Sequence, residues 1–331
     1  MSQPLIDIQN LKTYFHTDDG LVKAVDDVSF SIPKGKTVGV VGESGCGKSV
    51  TAMSVIRLIS KPGSIDGGSI KMNTGDESVE LSTLPEDQMR QIRGGVISMI
   101  FQEPMTSLNP VFTIGNQILE AIQLHQNVSS VEAQQIAIDI LDDVRISEPA
   151  ERLKQYPHEF SGGMRQRAMI AMALCCNPEL LIADEPTTAL DVTIQAQILD
   201  LLRGLQAKRD MSILLITHDL GIIAEMADEV VVMYASKVVE RAPIKTLFEH
   251  PLHPYTFGLF NSRPEMGRPK DQKLETIEGM VPSPLRFPQG CKFHPRCKFS
   301  QERCSQEEPE IREIEPGHEV RCHFAETLEL T

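Results

Sequence analysis

Apolar and polar positions alternate through Leu5, Ile6, Ile8 and Leu11, and again from Val25 to Ile32, the period of half-buried β-strands. Pro33-Lys34-Gly35 then turns the chain. Thr37–Val41 is a short β-branched run leading into a glycine-rich loop, and a helical stretch follows from Lys48 to Leu58. Helical periodicity returns from about Leu84 to Gln91 and from Val111 to Val144, where Ala133, Ile136, Ile138, Ile140 and Leu141 fall at helix-compatible spacings. Leu180–Ala183 and Ile213–Thr217 read as buried strands separated by the helical stretch Thr193–Lys208, and Val230–Met233 reads as one more strand. Strands alternating with helices predict an α/β fold with a mainly parallel, helix-covered sheet. Past about Pro251 the pattern changes. Proline recurs at Pro251, Pro254, Pro264, Pro269, Pro282, Pro284, Pro288 and Pro295, and apolar periodicity fades. A boundary near residue 250 follows, with a loop-rich region over 251–331.

Composition alters this picture only in what it excludes. The 331 residues have room for one large domain and a smaller appendage, and an apolar share of 41% is enough for a sizeable core. A formal net charge of -14 argues against a nucleic-acid partner held by a basic face. Met1-Ser2-Gln3-Pro4 lacks the basic and apolar regions of a secretory signal. No uninterrupted apolar run reaches the roughly 18 residues needed to cross a bilayer. If the chain works at a membrane, it is expected to dock onto something that spans it.

Gly42-Glu43-Ser44-Gly45-Cys46-Gly47-Lys48-Ser49 fits the pattern G-x-x-x-x-G-K-S/T, in the strand–loop–helix context a phosphate loop requires. Its glycines let backbone N–H groups converge on an anion, and the helix N-terminus adds favourable partial charge. Lys48 would reach the β- and γ-phosphates and Ser49 would bind Mg²⁺. Cys46 reads as a small filler within the loop. The apolar run Leu180-Leu181-Ile182-Ala183 leads into Asp184-Glu185. A buried strand ending in a carboxylate can hold hydrated Mg²⁺, and Glu185 beside it is placed to polarise an attacking water.

Phe160-Ser161-Gly162-Gly163-Met164-Arg165-Gln166-Arg167 resembles the signature of ABC transporter nucleotide-binding domains, and the resemblance covers roughly Leu5 to Pro251. It implies a P-loop NTPase core of mixed sheet over 1–250, with a helical subdomain at about 103–178. Ser161, Gly162 and Gly163 then open a helix whose N–H groups serve the γ-phosphate of nucleotide bound to a second subunit. The usual glutamine after the two glycines is Met164 here. The same resemblance assigns ATP binding to Gly42, Ser44, Gly45, Cys46, Gly47, Lys48, Ser49 and Val50, and Mg²⁺ to Ser49, Gln102 and Asp184. Glu185, Gln102 and His218 become the catalytic set, as hydrolytic carboxylate, Q-loop glutamine and switch histidine. Ala189-Leu190-Asp191 resembles the D-loop, and Glu103-Pro104-Met105-Thr106-Ser107-Leu108-Asn109-Pro110 the loop that meets a membrane subunit. Phe15, with Tyr14 as the alternative, is the candidate for stacking on adenine.

Three phrases narrow the branch: Phe101–Pro110, His253-Pro254-Tyr255-Thr256 and Phe293-His294-Pro295-Arg296-Cys297 together resemble dipeptide/oligopeptide importer ATPases, especially the D-type subunit. That implies a second ABC ATPase subunit (an F-type paralogue, or a second copy of this chain), two transmembrane permeases and an extracytoplasmic substrate-binding protein. It also implies a place on the cytoplasmic face of the membrane. Peptide is the expected solute, with glutathione, nickel chelates and sugars as alternatives, and a non-transport ABC ATPase as a further one.

Four of the seven cysteines, Cys291, Cys297, Cys304 and Cys322, crowd into the last part of the chain. Their gaps do not resemble the paired C-x₂-C spacings of zinc ribbons, while iron–sulfur clusters tolerate varied spacing. Some D-type subunits carry a 4Fe-4S cluster in this tail, so the resemblance implies a small C-terminal metal-binding region. Zn²⁺ with His294, His318 or His323 as further ligands, and four unliganded thiols or disulfides, stay open beside it.

Overall fold

The computed structural model describes residues 3–75, 77–102, 107–188, 190–262 and 276–330. The sequence expectations at Met1-Ser2, Glu103–Thr106, Ala189, Pro264 and Pro269 lie outside these. The chain forms two compact units, the first comprising residues 1–5, 32–37 and 73–216, the second 6–31, 38–72 and 217–331.

In the first unit, the strands Ile97–Ile100, Leu180–Asp184 and Ser212–Ile216 run parallel, with Leu180–Asp184 in the middle. Every residue of the middle strand and of Ser212–Ile216 is buried, as expected of parallel strands covered on both faces. Helices Ile114–His125, Ser130–Asp143 and Gly162–Leu174 pack on one another. Each begins at a side-chain cap that satisfies an otherwise orphaned N–H: Thr113, Ser129 and Ser161. At Ser129 the cap is reciprocal, because Glu132 bonds back to the Ser129 backbone. The periodicity read over Val111–Val144 is thus two helices, and the deepest positions of the second are Ala133, Ala137, Ile140 and Leu141.

In the second unit, Val38 to Val41 of the strand Thr37–Val41 pair parallel with Glu229–Tyr234, which pairs antiparallel with Lys237–Pro243. The residues after 250 extend this sheet. His318–Val320 pairs antiparallel with Lys237–Pro243, and Arg312–Glu315 pairs antiparallel with His318–Val320. The expected parallel sheet is therefore mixed here, because its outer strands return through hairpins. Ile6–Thr17 lies between Gly20–Ile32 and Gly63–Thr74 in a separate sheet. Helix Pro254–Asn261 begins at His253, whose ring nitrogen accepts the Tyr255 N–H at 3.0 Å.

A buried carboxylate ties the tail to this framework. Glu240 is 0% exposed and accepts from the N–H groups of Leu252 and His253 at 2.6 and 3.1 Å and pairs with His318 Nε2 at 2.8 Å. Tyr234, Tyr255 and Phe293 form an aromatic cluster with ring centroids 4.7–5.4 Å apart, joining the strand Glu229–Tyr234 to helix Pro254–Asn261 and the cysteine-bearing loops. Among the described residues no helix is long and apolar enough to cross a membrane.

Burial holds the His253 imidazole neutral, its pKa lowered to about 4 from the ordinary 6.5 even though Glu240 opposes the shift. The unfolded chain therefore binds more protons than the native one between these values, and stability falls as pH drops from about 6.5 to about 4. His253→Asn keeps a side-chain acceptor for the Tyr255 N–H and should flatten that part of the profile, read as the urea midpoint measured between pH 4 and 7. An unchanged slope in the variant would assign the acid sensitivity to other groups.

Candidate nucleotide site

The second unit holds the glycine-rich loop Gly42–Ser49. The five buried residues Thr37–Val41 deliver the chain to Gly42, and helix Lys48–Val55 leaves from Gly47. The loop has no room for side chains where glycine stands at Gly42 and Gly47. Gly42 has φ +149° and a Cβ there would sit 2.1 Å from the Met233 carbonyl oxygen. Gly47 has φ +101°, and its Cβ would sit 2.2 Å from the Ala24 carbonyl oxygen. Lys48 is only 8% exposed, and its Nζ donates to the carbonyls of Gly42 and Glu43 at 2.7 and 3.1 Å. Ser44, Gly45 and Ser49 are exposed and Val50 half-buried. Cys46 is buried, with its Sγ 3.9 Å from Lys48 Nζ, and burial pushes its thiol pKa up despite the nearby ammonium. A protonated, enclosed thiol fits the filler role expected for it.

Two features of the loop were not found from the sequence. The Glu43 N–H donates to the Tyr255 hydroxyl at 2.9 Å, and the Glu43 carboxylate pairs with Arg296. Both partners lie more than 200 residues downstream, so no local pattern signals them.

Phe15 and Tyr14 are neighbours on the strand Ile6–Thr17, both half-buried. The Tyr14 hydroxyl donates to Asp26 at 2.7 Å, and Asp26 in turn accepts from Lys292 at 3.3 Å. Burial together with this bond to Asp26 raises the Tyr14 pKa. The Phe15 ring packs where a side chain on Gly63 would otherwise lie. His218 is exposed just past the strand Ser212–Ile216, followed by Asp219, which caps helix Leu220–Met226.

The first unit brings Gln102, Asp184 and Glu185 to one strand end. Asp184 is the last residue of the buried strand Leu180–Asp184 and is 4% exposed. Glu185 leaves that strand with φ +48°, a left-handed conformation costly for a side chain with a Cβ. Its N–H donates to Ile216 at 2.8 Å, and its carboxylate accepts from Gln102 Nε2 at 3.0 Å and from Thr188 Oγ1 at 2.8 Å. Ser161 and Gly162 are exposed and Gly163 half-buried at the start of helix Gly162–Leu174, where the Ser161 hydroxyl accepts from the Met164 N–H at 3.4 Å. The first turn thus contributes its backbone to the cap whatever side chain stands at 164. Gln166 donates to the Pro186 carbonyl beside Glu185.

In the second unit, Cys291, Cys297, Cys304 and Cys322 all line one cavity of about 20 Å³, with His253, His294, His323, Phe293 and Phe324. All seven cysteines are free thiols. Burial, reinforced by the neighbouring thiols, pushes Cys291 up to about 11 and Cys297 up to about 12. Among the described residues, however, no three or more His, Cys, Asp or Glu side chains are drawn into metal-ligating geometry, so the expected metal-binding region is not met by a formed ligand set. His318 is not a spare ligand: it is absent from the cavity lining and engaged by Glu240.

Residues 25–188 match the family described as ABC transporter, and residues 239–304 match the oligopeptide/dipeptide transporter C-terminal region. The chain is 51% identical over 97% of its length, and 97% of the relative's, to the oligopeptide transport ATP-binding protein AppD of Bacillus subtilis. It is 52% identical, with 97% of each chain covered, to a Brucella melitensis protein provisionally named as a peptide import ATP-binding protein. Among solved structures, the fold is similar to the dimeric MJ0796 ABC transporter cassette, with TM-score 0.64 and 24% identity over 72% of this chain and 98% of that one. It is also similar to cbiO1 of Clostridium perfringens, with TM-score 0.62 and 22% identity over 75% of this chain and 92% of that one. The chain belongs to the ABC transporter family, as an ATP-binding subunit with the ATPase fold and the oligopeptide/dipeptide transporter C-terminal region.

Gly42→Ala should weaken nucleotide binding and destabilise the second unit together, because the added methyl meets backbone rather than a movable side chain. Nucleotide titration alongside far-UV circular dichroism checks this; wild-type affinity in that variant would remove the close-approach argument.

Proposed function

We propose that this chain is the ATP-hydrolysing subunit that powers peptide import through an ABC transporter. The observation that carries the reading is the Glu185 carboxylate, held at 3.0 Å by Gln102 immediately after the strand ending in Asp184, in a chain about half identical to peptide-import ATP-binding proteins over nearly its whole length. On this reading residues 1–250 are the ATPase domain, with its helical subdomain at about 103–178, and 251–331 the C-terminal region. Lys48 and the Gly42–Ser49 backbone hold the phosphates, Phe15 stacks on adenine, and Ser49, Gln102 and Asp184 would hold Mg²⁺, which would supply charge neutralisation at the phosphates. Glu185 orients the attacking water and His218 contacts the γ-phosphate. Ser161, Gly162 and Gly163 serve the nucleotide of a second ATPase subunit, an F-type paralogue or a second copy. Two permeases on the cytoplasmic side of the membrane and an external substrate-binding protein complete the assembly.

Glu185→Gln removes the carboxylate while keeping its shape. It should lower turnover by about 10²- to 10³-fold and leave ATP binding intact, measured as phosphate release against nucleotide titration. Unimpaired hydrolysis would take Glu185 out of this role.

For the tail, we infer that Cys291, Cys297, Cys304 and Cys322 hold an iron–sulfur cluster. What supports it is that all four line one small cavity, with none spent in a disulfide. Such a cluster would supply a cross-link among segments with little core of their own. Anaerobically purified protein should carry stoichiometric iron and broad absorbance near 400 nm; zinc without iron would replace the cluster by the alternative metal, and neither metal would leave plain thiols.

A further inference from the structure

We propose that Arg296 is a positioning residue for ATP binding, which holds Glu43 and thereby sets the shape and charge of the phosphate loop. The inference rests on the reading of Gly42–Ser49 as the nucleotide site. Arg296 ends the 3₁₀ turn His294–Arg296, between Cys291 and Cys297, and its side chain is only 6% exposed. Its Nη1 lies 3.1 and 2.9 Å from the two carboxylate oxygens of Glu43. Its Nε donates to the Glu278 carbonyl at 2.9 Å and its Nη2 to the Ile277 carbonyl at 3.2 Å, while the guanidinium lies 5.8 Å from the centroid of the Tyr234 ring. Every guanidinium nitrogen thus has a partner, as a buried arginine requires.

Glu43 is held at both ends. Arg296 grips its carboxylate, and the Tyr255 hydroxyl accepts its N–H. The carbonyl of the same residue accepts from Lys48 Nζ at 3.1 Å and from the Cys46 N–H at 3.3 Å. A shift of Glu43 therefore moves an oxygen that touches the phosphate-binding lysine. There is also a charge argument. A carboxylate on the second residue of a phosphate loop opposes a polyanion, and the arginine pair cancels it. Lysine would not substitute, because one ammonium cannot span both carboxylate oxygens and two diverging carbonyls.

The test is a double-mutant cycle in the full-length chain, reading Kd for a fluorescent ATP analogue together with KM and kcat for hydrolysis. Arg296→Ala should raise Kd and KM roughly ten-fold with a much smaller change in kcat, because it exposes an unpaired Glu43 charge and frees the loop. Glu43→Gln alone should cost less, roughly three-fold or under, since it removes the opposing charge along with the anchor. Arg296→Ala added to Glu43→Gln should then cost little more. An affinity within two-fold of wild type for Arg296→Ala, or a loss equally large in the Glu43→Gln background, overturns the proposal, as does a loss confined to kcat. If Arg296→Ala does not fold, Arg296→Gln, which removes the charge but keeps a hydrogen-bonding side chain of similar reach, enters the same cycle with the same criteria. Lys48→Ala separates the two readings: if it binds nucleotide normally, the site itself is misassigned. If it loses binding while Arg296→Ala does not, only the positioning role falls.

Discussion

The carbonyl oxygens of Met233 and Ala24 stand where side chains at Gly42 and Gly47 would otherwise project. That close approach of one backbone to another is the constraint around which the second unit is arranged. Contacts from behind fix where the loop's backbone can run, beside the bonds it makes within itself. The strand Glu229–Tyr234 supplies that backing, the hairpin to Lys237–Pro243 stiffens it, and the aromatic cluster of Tyr234, Tyr255 and Phe293 presses the tail against it.

The first unit solves a different problem. On the proposed function it must aim a carboxylate away from the strand that delivers it, and Glu185 turns into the left-handed region directly after Asp184. The strain at that residue is offset by bonds from Gln102, Thr188 and its own N–H to Ile216. Two adjacent acidic residues thereby acquire different surroundings, one enclosed at a strand end and one held by an amide and a hydroxyl. On the proposed function, this separation of environments lets the two neighbouring carboxylates take different tasks.

Much of this was legible in the chain. The phosphate loop, the strand into Asp184-Glu185 and the helix opened by Ser161 are local, each encoded within about ten residues by periodicity and capping chemistry. The tail was less readable. Arg312–Glu315 and His318–Val320 are short and highly charged, and they become strands only because an edge of the sheet is there to receive them. The Gly63–Thr74 strand, with three glycines, likewise shows its register only against Ile6–Thr17. The cysteines announced themselves, but their meeting around one cavity and the service of Glu240, His253 and Arg296 as struts depend on contacts no local window contains.

Arg296 lies 253 residues beyond Glu43. At about 5–20 residues per second, a ribosome that has finished the phosphate loop needs roughly 10–50 s more to produce the arginine that grips it. Throughout that interval the nascent chain carries the motif but lacks its brace. On the proposed role of Arg296, the loop's charge and shape are completed only after the C-terminal region has emerged, long after the motif itself.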